Sequence, residues 1–208
     1  MLRLAKKNLQ NINFQNLLTI SKILNRVEYF ICYGTLLGLT RDNKIIFGDD
    51  DVDLLINYKH KNKVLKKMHL NKSFKINKKV SNKFFIQFVK KETNSCSFVD
   101  FYFYINKTNN NYIIEKHNFL SNFKDPKFSI HFPKKFIFPI KSDKTFSSIL
   151  LPSKPEKLCQ FLYGEDWKIP LKKNISYRME IINNKPLLIK RSFFGSITRW
   201  VKKELFNF

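Results

Sequence analysis

Apolar residues recur near every third or fourth position at the start of the chain. Leu9, Ile12, Leu17, Ile20, Ile23, Leu24 and Val27 follow this period, with Lys and Asn between them. The spacing predicts an amphipathic helix over Leu2 to Val27. Glu28 to Tyr33 is then a short apolar run that reads as a strand, broken by Gly34. Thr35 stands where it could cap a short helix reaching Arg41, and Asp42-Asn43 is a turn signal. Ile45 to Ile56 reads as a second strand. Lys59 to Leu70 reads as a basic helix with Val64, Leu65 and Met68 on its inner side. Further strands are expected at about Phe74–Val80, Phe84–Lys90 and Ser97–Ile105, with Asn109-Asn110-Asn111 as a hairpin loop into Tyr112–Ile114. The stretch from Phe128 to Leu151, with scattered Pro and Phe, favours no element. Ser153 as cap and Pro155 in the first turn start a helix that runs to about Tyr163 and stops at Gly164. No internal repeat or linker interrupts this series, so the expectation is one α+β domain.

Composition narrows the class. With 208 residues, 43% of them hydrophobic and 22 of them Phe, the chain can bury a sizeable core and is too apolar for global disorder. No apolar run approaches the roughly 20 residues of a membrane span. The Lys6-Lys7 pair is followed by Asn8, Gln10, Asn11 and Asn13, too polar for a signal-peptide core, so a cytoplasmic location is expected. Cys32, Cys96 and Cys159 form no C-x-x-C pair, and His60, His69, His117 and His131 show no ligand spacing. Neither a zinc site nor a disulfide framework is indicated. The formal net charge of +23 raises the question of nucleic acid. The charge is mostly Lys, however, spread along the whole chain among Asn, Ile and Phe. That reads as a compositional bias with no dedicated nucleic-acid face. Attraction to anionic substrates or an anionic membrane surface fits it better.

Against this charge the chain places four of its 16 acidic residues within five positions: Asp49, Asp50, Asp51 and Asp53. Carboxylates packed so tightly repel, and a divalent cation is the usual compensation. If Asp49 to Ile56 is extended, Asp49, Asp51 and Asp53 share one face while Val52, Leu54 and Ile56 take the other. Asp51 and Asp53 could then converge on one Mg²⁺ or Mn²⁺, with water and substrate phosphate completing the shell. An EF-hand fails here, because its sixth and twelfth positions would be Leu54 and His60. A solvated acidic loop is the alternative, at odds with the apolar Leu54-Leu55-Ile56 that follows.

Asp100 offers a third carboxylate. It shares a strand face with Tyr102 and Tyr104, opposite Val99, Phe101, Phe103 and Ile105. An acid in so aromatic a strand needs a partner, either a lysine or a metal site in which it serves as ligand or general base. Gly34-Thr35, at a strand end before a helix, could present backbone N–H groups and a hydroxyl to a phosphate. The pair fits neither a Walker A loop nor a dinucleotide fingerprint, and turns use such pairs constantly.

These residues resemble a known signature. Tyr33-Gly34-Thr35-Leu36-Leu37-Gly38 with Arg41, then Ile45-Ile46-Phe47-Gly48-Asp49-Asp50-Asp51-Val52-Asp53, are similar to the motifs of the LicD family. That family includes bacterial phosphocholine transferases and fukutin-type ribitol-phosphate transferases. Val99-Asp100-Phe101-Tyr102 resembles its second acidic strand. Leu151-Pro152-Ser153-Lys154-Pro155-Glu156 through Tyr163-Gly164-Glu165-Asp166-Trp167 and Pro170 resembles its C-terminal block. The likeness spans about Tyr33 to Pro170, with Gly48 where many members have Trp. It implies a nucleotidyltransferase-like mixed sheet flanked by helices. It also implies a CDP-linked donor and transfer of a phospho-substituent to a glycan hydroxyl, with CMP leaving. On this reading Asp51, Asp53 and Asp100 hold the metal, Asp100 being shared ligand or base, and Gly34 and Thr35 hold a donor phosphate. Arg41 clamps a phosphate or pairs structurally with Asp49 or Asp50. Tyr163, Gly164 and Trp167 shape a substrate pocket or pack in the core.

Two further readings complete the expectations. Residues 1–185 are taken as the catalytic domain and 186–208 as a basic amphipathic helix, with Phe193, Phe194, Ile197, Trp200, Val201, Leu205 and Phe208 among Lys and Arg. That helix either packs on the domain or lies at a membrane surface, where a lipid-linked glycan acceptor would be met. The functional alternatives are a nucleotidyltransferase moving NMP to a small molecule and an inactive glycan- or nucleic-acid-binding protein.

Overall fold

The computed structural model describes residues 2–90, 97–116, 129–170 and 177–190. Helix α1 (Leu2–Ile23) leads into strand β1 (Tyr29–Ile31), helix α2 (Tyr33–Asp42) and strand β2 (Asp51–Asn57). A 3-10 turn at Tyr58–His60 and helix α3 (Lys61–Leu70) precede β3 (Phe74–Ile76) and β4 (Phe85–Lys90). Strands β5 (Phe98–Asn106), β6 (Tyr112–Glu115) and β7 (Ile130–Pro133) follow, then helix α4 (Lys134–Ile137). Next come a short pair, β8 (Lys141–Ser142) with β9 (Leu150–Leu151), helix α5 (Pro155–Tyr163), and the hairpin of β10 (Tyr177–Ile182) and β11 (Lys185–Lys190).

Among the described residues, seven strands form one mixed sheet in the order β1-β2-β5-β4-β3, with β6 beside β5 and β7 beside β6. Its centre is the parallel pair β2–β5; the other neighbours are antiparallel. A parallel pair needs a long crossover, and here α3, β3 and β4 supply it. Because both faces of the centre are covered, Leu54, Leu55, Ile56, Phe101, Tyr102, Phe103 and Tyr104 are all buried. Glu28 laces one end of the three central strands. It accepts hydrogen bonds from the Asn57 amide at 2.8 Å and the Tyr104 hydroxyl at 2.7 Å. Burial pushes the Glu28 pKa up, but these bonds and the Lys59 ammonium outweigh it and hold the carboxyl below its ordinary value. The expected α+β class with a mixed sheet flanked by helices is the architecture found.

Several local expectations are corrected. The strand foreseen from Ile45 begins only at Asp51, because residues 45–50 form a loop in which Gly48 takes φ +78°. Cys32, not Thr35, occupies the N-cap of α2, and Lys154, not Ser153, that of α5; neither position makes a side-chain cap. Gly164 does stop α5, with φ +84° and its N–H on the Gln160 carbonyl. Pro186 to Lys190, read as the start of a helix, form a strand. Residues 191–208, with Cys96 and His117, lie outside the described residues. Cys32 and Cys159 are buried free thiols. Among the described residues, no helix is long and apolar enough to cross a membrane.

Candidate metal centre

The parallel register of β2 and β5 sets Asp53 directly opposite Asp100. Neighbouring strands lie about 4.8 Å apart, so two buried carboxylates at paired positions face one side of the sheet together. Asp53 is 2% exposed and Asp100 4%. Asp51, two residues before Asp53, joins them on the same face. Each of the three offers an oxygen within 4.8 Å of the others. An all-carboxylate donor set of this kind suits a hard divalent cation such as Mg²⁺ or Mn²⁺ and gives a soft metal no thiolate or imidazole.

Helix α2 covers this group, and its glycines explain how. Gly34 and Gly38 are four residues apart, so they share one helix face. The loop from α2 to β2 lies directly on that face. A Cβ on Gly38 would stand 2.5 Å from the Lys44 carbonyl oxygen and 3.0 Å from the Ile46 nitrogen. A Cβ on Gly34 would stand 2.6 Å from an Asp49 carboxylate oxygen and 3.4 Å from one of Asp53. The absence of side chains at both positions lets the loop fold back along the helix and bring Asp49, only 8% exposed, to the helix N-terminus. Asp50 turns outward and is exposed.

Thr35 braces the strand. Its hydroxyl accepts the Asp53 backbone N–H at 2.8 Å, and its own N–H points at the Asp53 carboxylate at 3.4 Å. The Thr35 hydroxyl oxygen expected at a phosphate thus supports the central acid. Thr35→Val should leave a buried N–H without its acceptor and cost about 1–3 kcal/mol, while Thr35→Ser should retain most of the stability. Urea unfolding of the two variants reads this difference; equal midpoints would show that the bond carries no weight.

Tyr33, at φ +46°, opens α2 beneath the same face. Its ring packs 4.9 Å from that of Tyr102, and its hydroxyl donates to the buried Glu115 at 3.3 Å. Burial first, then the negative charge of Glu115, pushes the Tyr33 hydroxyl far above its ordinary pKa. Burial and the charges of Asp53 and Asp100 do the same to Tyr102. Both phenols are therefore kept protonated beside the acids. Neither Tyr33, Tyr102 nor Glu115 stood out as a site residue in the sequence, although alternation already put Tyr102 on the Asp100 face.

The remaining candidates are dispersed. Arg41 lies seven residues beyond Gly34, about 10 Å along the helix axis. Its guanidinium makes a 2.7 Å ion pair with Asp42. Tyr163 is partly buried and packs against the core. Trp167 is a buried core residue, with the Lys168 ammonium 5.4 Å from its ring centre. Gly164 is exposed, and a Cβ there would meet nothing within 4 Å. The structure thus gathers Asp51, Asp53, Asp100, Gly34 and Thr35 at one place and sets Arg41 apart from them.

A mixed α+β sheet with paired acidic strands under a glycine-bearing helix is the architecture of a nucleotidyltransferase-type transferase domain. The chain belongs to the LicD family: the family model described as LicD/FKTN/FKRP, nucleotidyltransferase domain, matches residues 26–152, more than half of the chain. No curated protein matches it. Membership makes the chain a transferase, and phosphotransferase-type activity on glycans is what the family suggests.

Proposed function

We infer that this protein transfers a phospho-substituent, such as phosphocholine or ribitol phosphate, from a CDP-linked donor to a hydroxyl of a cell-surface glycan, with Mg²⁺ or Mn²⁺ bound. The observation that carries the reading is the in-register pair Asp53–Asp100 with Asp51 on the same face. These three carboxylates fit a divalent cation by their chemistry. When bound, the ion would supply charge neutralisation at the donor phosphates.

The chain's own residues do the rest. Asp51 and Asp53 would hold the ion, and Thr35 keeps Asp53 at its strand position. Asp100 is the shared ligand or the base that takes the acceptor hydroxyl's proton. The acceptor oxygen forms the new P–O bond as the anhydride bond to CMP breaks, and CMP leaves with the electron pair. The backbone beside Gly34, at the N-terminal end of α2, lies where a donor phosphate would approach. A lipid-linked acceptor, met at the inner face of a membrane, suits the excess of positive charge.

A panel of CDP-linked donors with Mg²⁺, scored for CMP, tests the reaction. Pyrophosphate release from a nucleoside triphosphate would instead favour NMP transfer, and binding without turnover an inactive binding protein. The metal is tested separately. Mg²⁺ or Mn²⁺ at 100 times its dissociation constant should stabilise the fold by about 2.7 kcal/mol, and a chelator should reverse this. A melting temperature indifferent to both ions would overturn the metal reading.

A further inference from the structure

Helix α1 touches the acidic strands through amides. On its buried face, Gln10 and Asn13 precede Leu17, Ile20 and Leu24 at helical spacing, so a polar segment continues an apolar stripe. Asn13 is fully buried. Its amide nitrogen donates to the Asp49 backbone carbonyl at 2.8 Å, just before β2. Its amide oxygen accepts from the Ser97 hydroxyl at 2.5 Å, just before β5. Ser97, also fully buried, accepts in turn from the Asn16 amide at 2.8 Å. The Gln10 amide donates to the Ile45 carbonyl in the loop over α2. One side chain, Asn13, therefore bridges the entrances of both acidic strands, where the Phe98 N–H also meets the Asp50 carbonyl at 2.8 Å.

We propose that Asn13, with Ser97 and Asn16, is a positioning clasp that sets the spacing of Asp51 and Asp53 against Asp100 and so tunes the affinity of that group for a divalent cation. The clasp rests on the metal reading above. Two features favour this role over plain core packing. Amides buried on the inner face of a helix are costly unless their hydrogen bonds are made. These bonds end on the two backbone segments that open into the carboxylates. The other end of the same strands has its own tie, Glu28 with Asn57 and Tyr104, remote from the acids. The helix that carries Asn13 and Asn16 lies before the residues that match the family model, while Ser97 lies within them.

Mn²⁺ titration calorimetry on the full chain tests it, with Asn13→Leu, Ser97→Ala, the double variant, and Asn57→Ala as a control that loosens the opposite end. Asn13→Leu and Ser97→Ala should each weaken Mn²⁺ binding about 10- to 100-fold. The double variant should be little worse than the weaker single, because both changes open one clasp. Asn57→Ala should lower the melting temperature yet keep wild-type Mn²⁺ affinity. Ser97→Ala removes a single hydroxyl and carries the test if Asn13→Leu does not fold. Wild-type affinity in the Ser97 variant, or an equal loss in the Asn57 control, overturns the clasp while leaving the metal site standing. A wild-type chain that takes up no Mn²⁺ overturns the metal reading and the clasp with it.

Discussion

Asp53→Asn is expected to lower CMP release by at least about a thousandfold, which corresponds to roughly 4 kcal/mol of transition-state stabilisation. Asp100→Asn should do the same. Asp53 sits at the centre of the group: Asp51 is two residues away on its own strand, Asp100 opposite it, and Gly34 and Thr35 above it. The carboxamide is nearly isosteric and can still accept from the Thr35 N–H, so the fold should survive. Removing one of three clustered negative charges relieves repulsion. The metal-free variant should therefore melt no lower than the wild type, and its stabilisation by Mg²⁺ should vanish. Activity and the Mg²⁺-induced shift should be lost together while the metal-free melting temperature is kept. An Asp53→Asn chain that keeps turnover, or loses it only through unfolding, would remove these carboxylates from the mechanism.

Gly38→Ala should destabilise the protein by about 3 kcal/mol. On an unconstrained helix the same change would add about 1 kcal/mol of stability, because Ala is the better helix former. The sign reverses here because the new methyl would lie 2.5 Å from the Lys44 carbonyl oxygen and 3.0 Å from the Ile46 nitrogen. Both are backbone atoms of the loop that carries Asp49, and the Lys44 N–H is bonded to the Gly38 carbonyl at 3.3 Å. Relief requires moving that loop off the helix, which shifts Asp49 and the entrance to β2. Urea unfolding measures the loss, and Mn²⁺ affinity should fall with it. A variant within 0.5 kcal/mol of wild type would show that the loop yields freely. Gly34→Ala should be milder, since the nearest atom is the end of the Asp49 side chain.

The elements around the site were largely legible because their signals are local. Period 3.6 in α1 and alternation in β2 and β5 follow from which face each backbone turns to the core. Alternation alone also put Asp51 with Asp53 and singled out Asp100. The start of β2 is not legible because Ile45 and Ile46 are apolar for another reason. Ile45 belongs to the loop that crosses α2 and is buried there, not paired in a sheet. Thr35 has the residue type of a cap, yet its hydroxyl finds its partner 18 residues away in β2. The hairpin of β10 and β11 carries no such local signal, because its pairing joins residues on either side of the Asn183-Asn184 turn.

Clustered carboxylates, a Gly-Thr pair and a third acid in an aromatic strand are properties of residue type and short spacing, and they are visible along the chain. Which of them meet depends on long-range packing. Strand pairing brings Asp100 opposite Asp53 across a crossover that no local pattern encodes, because register is set by the packing of whole faces. It also turned the Gly34–Gly38 spacing into a seat for the Asp49 loop. And it joined Asn13 to Ser97, 84 positions apart, since a buried amide must find its partner wherever the fold places one.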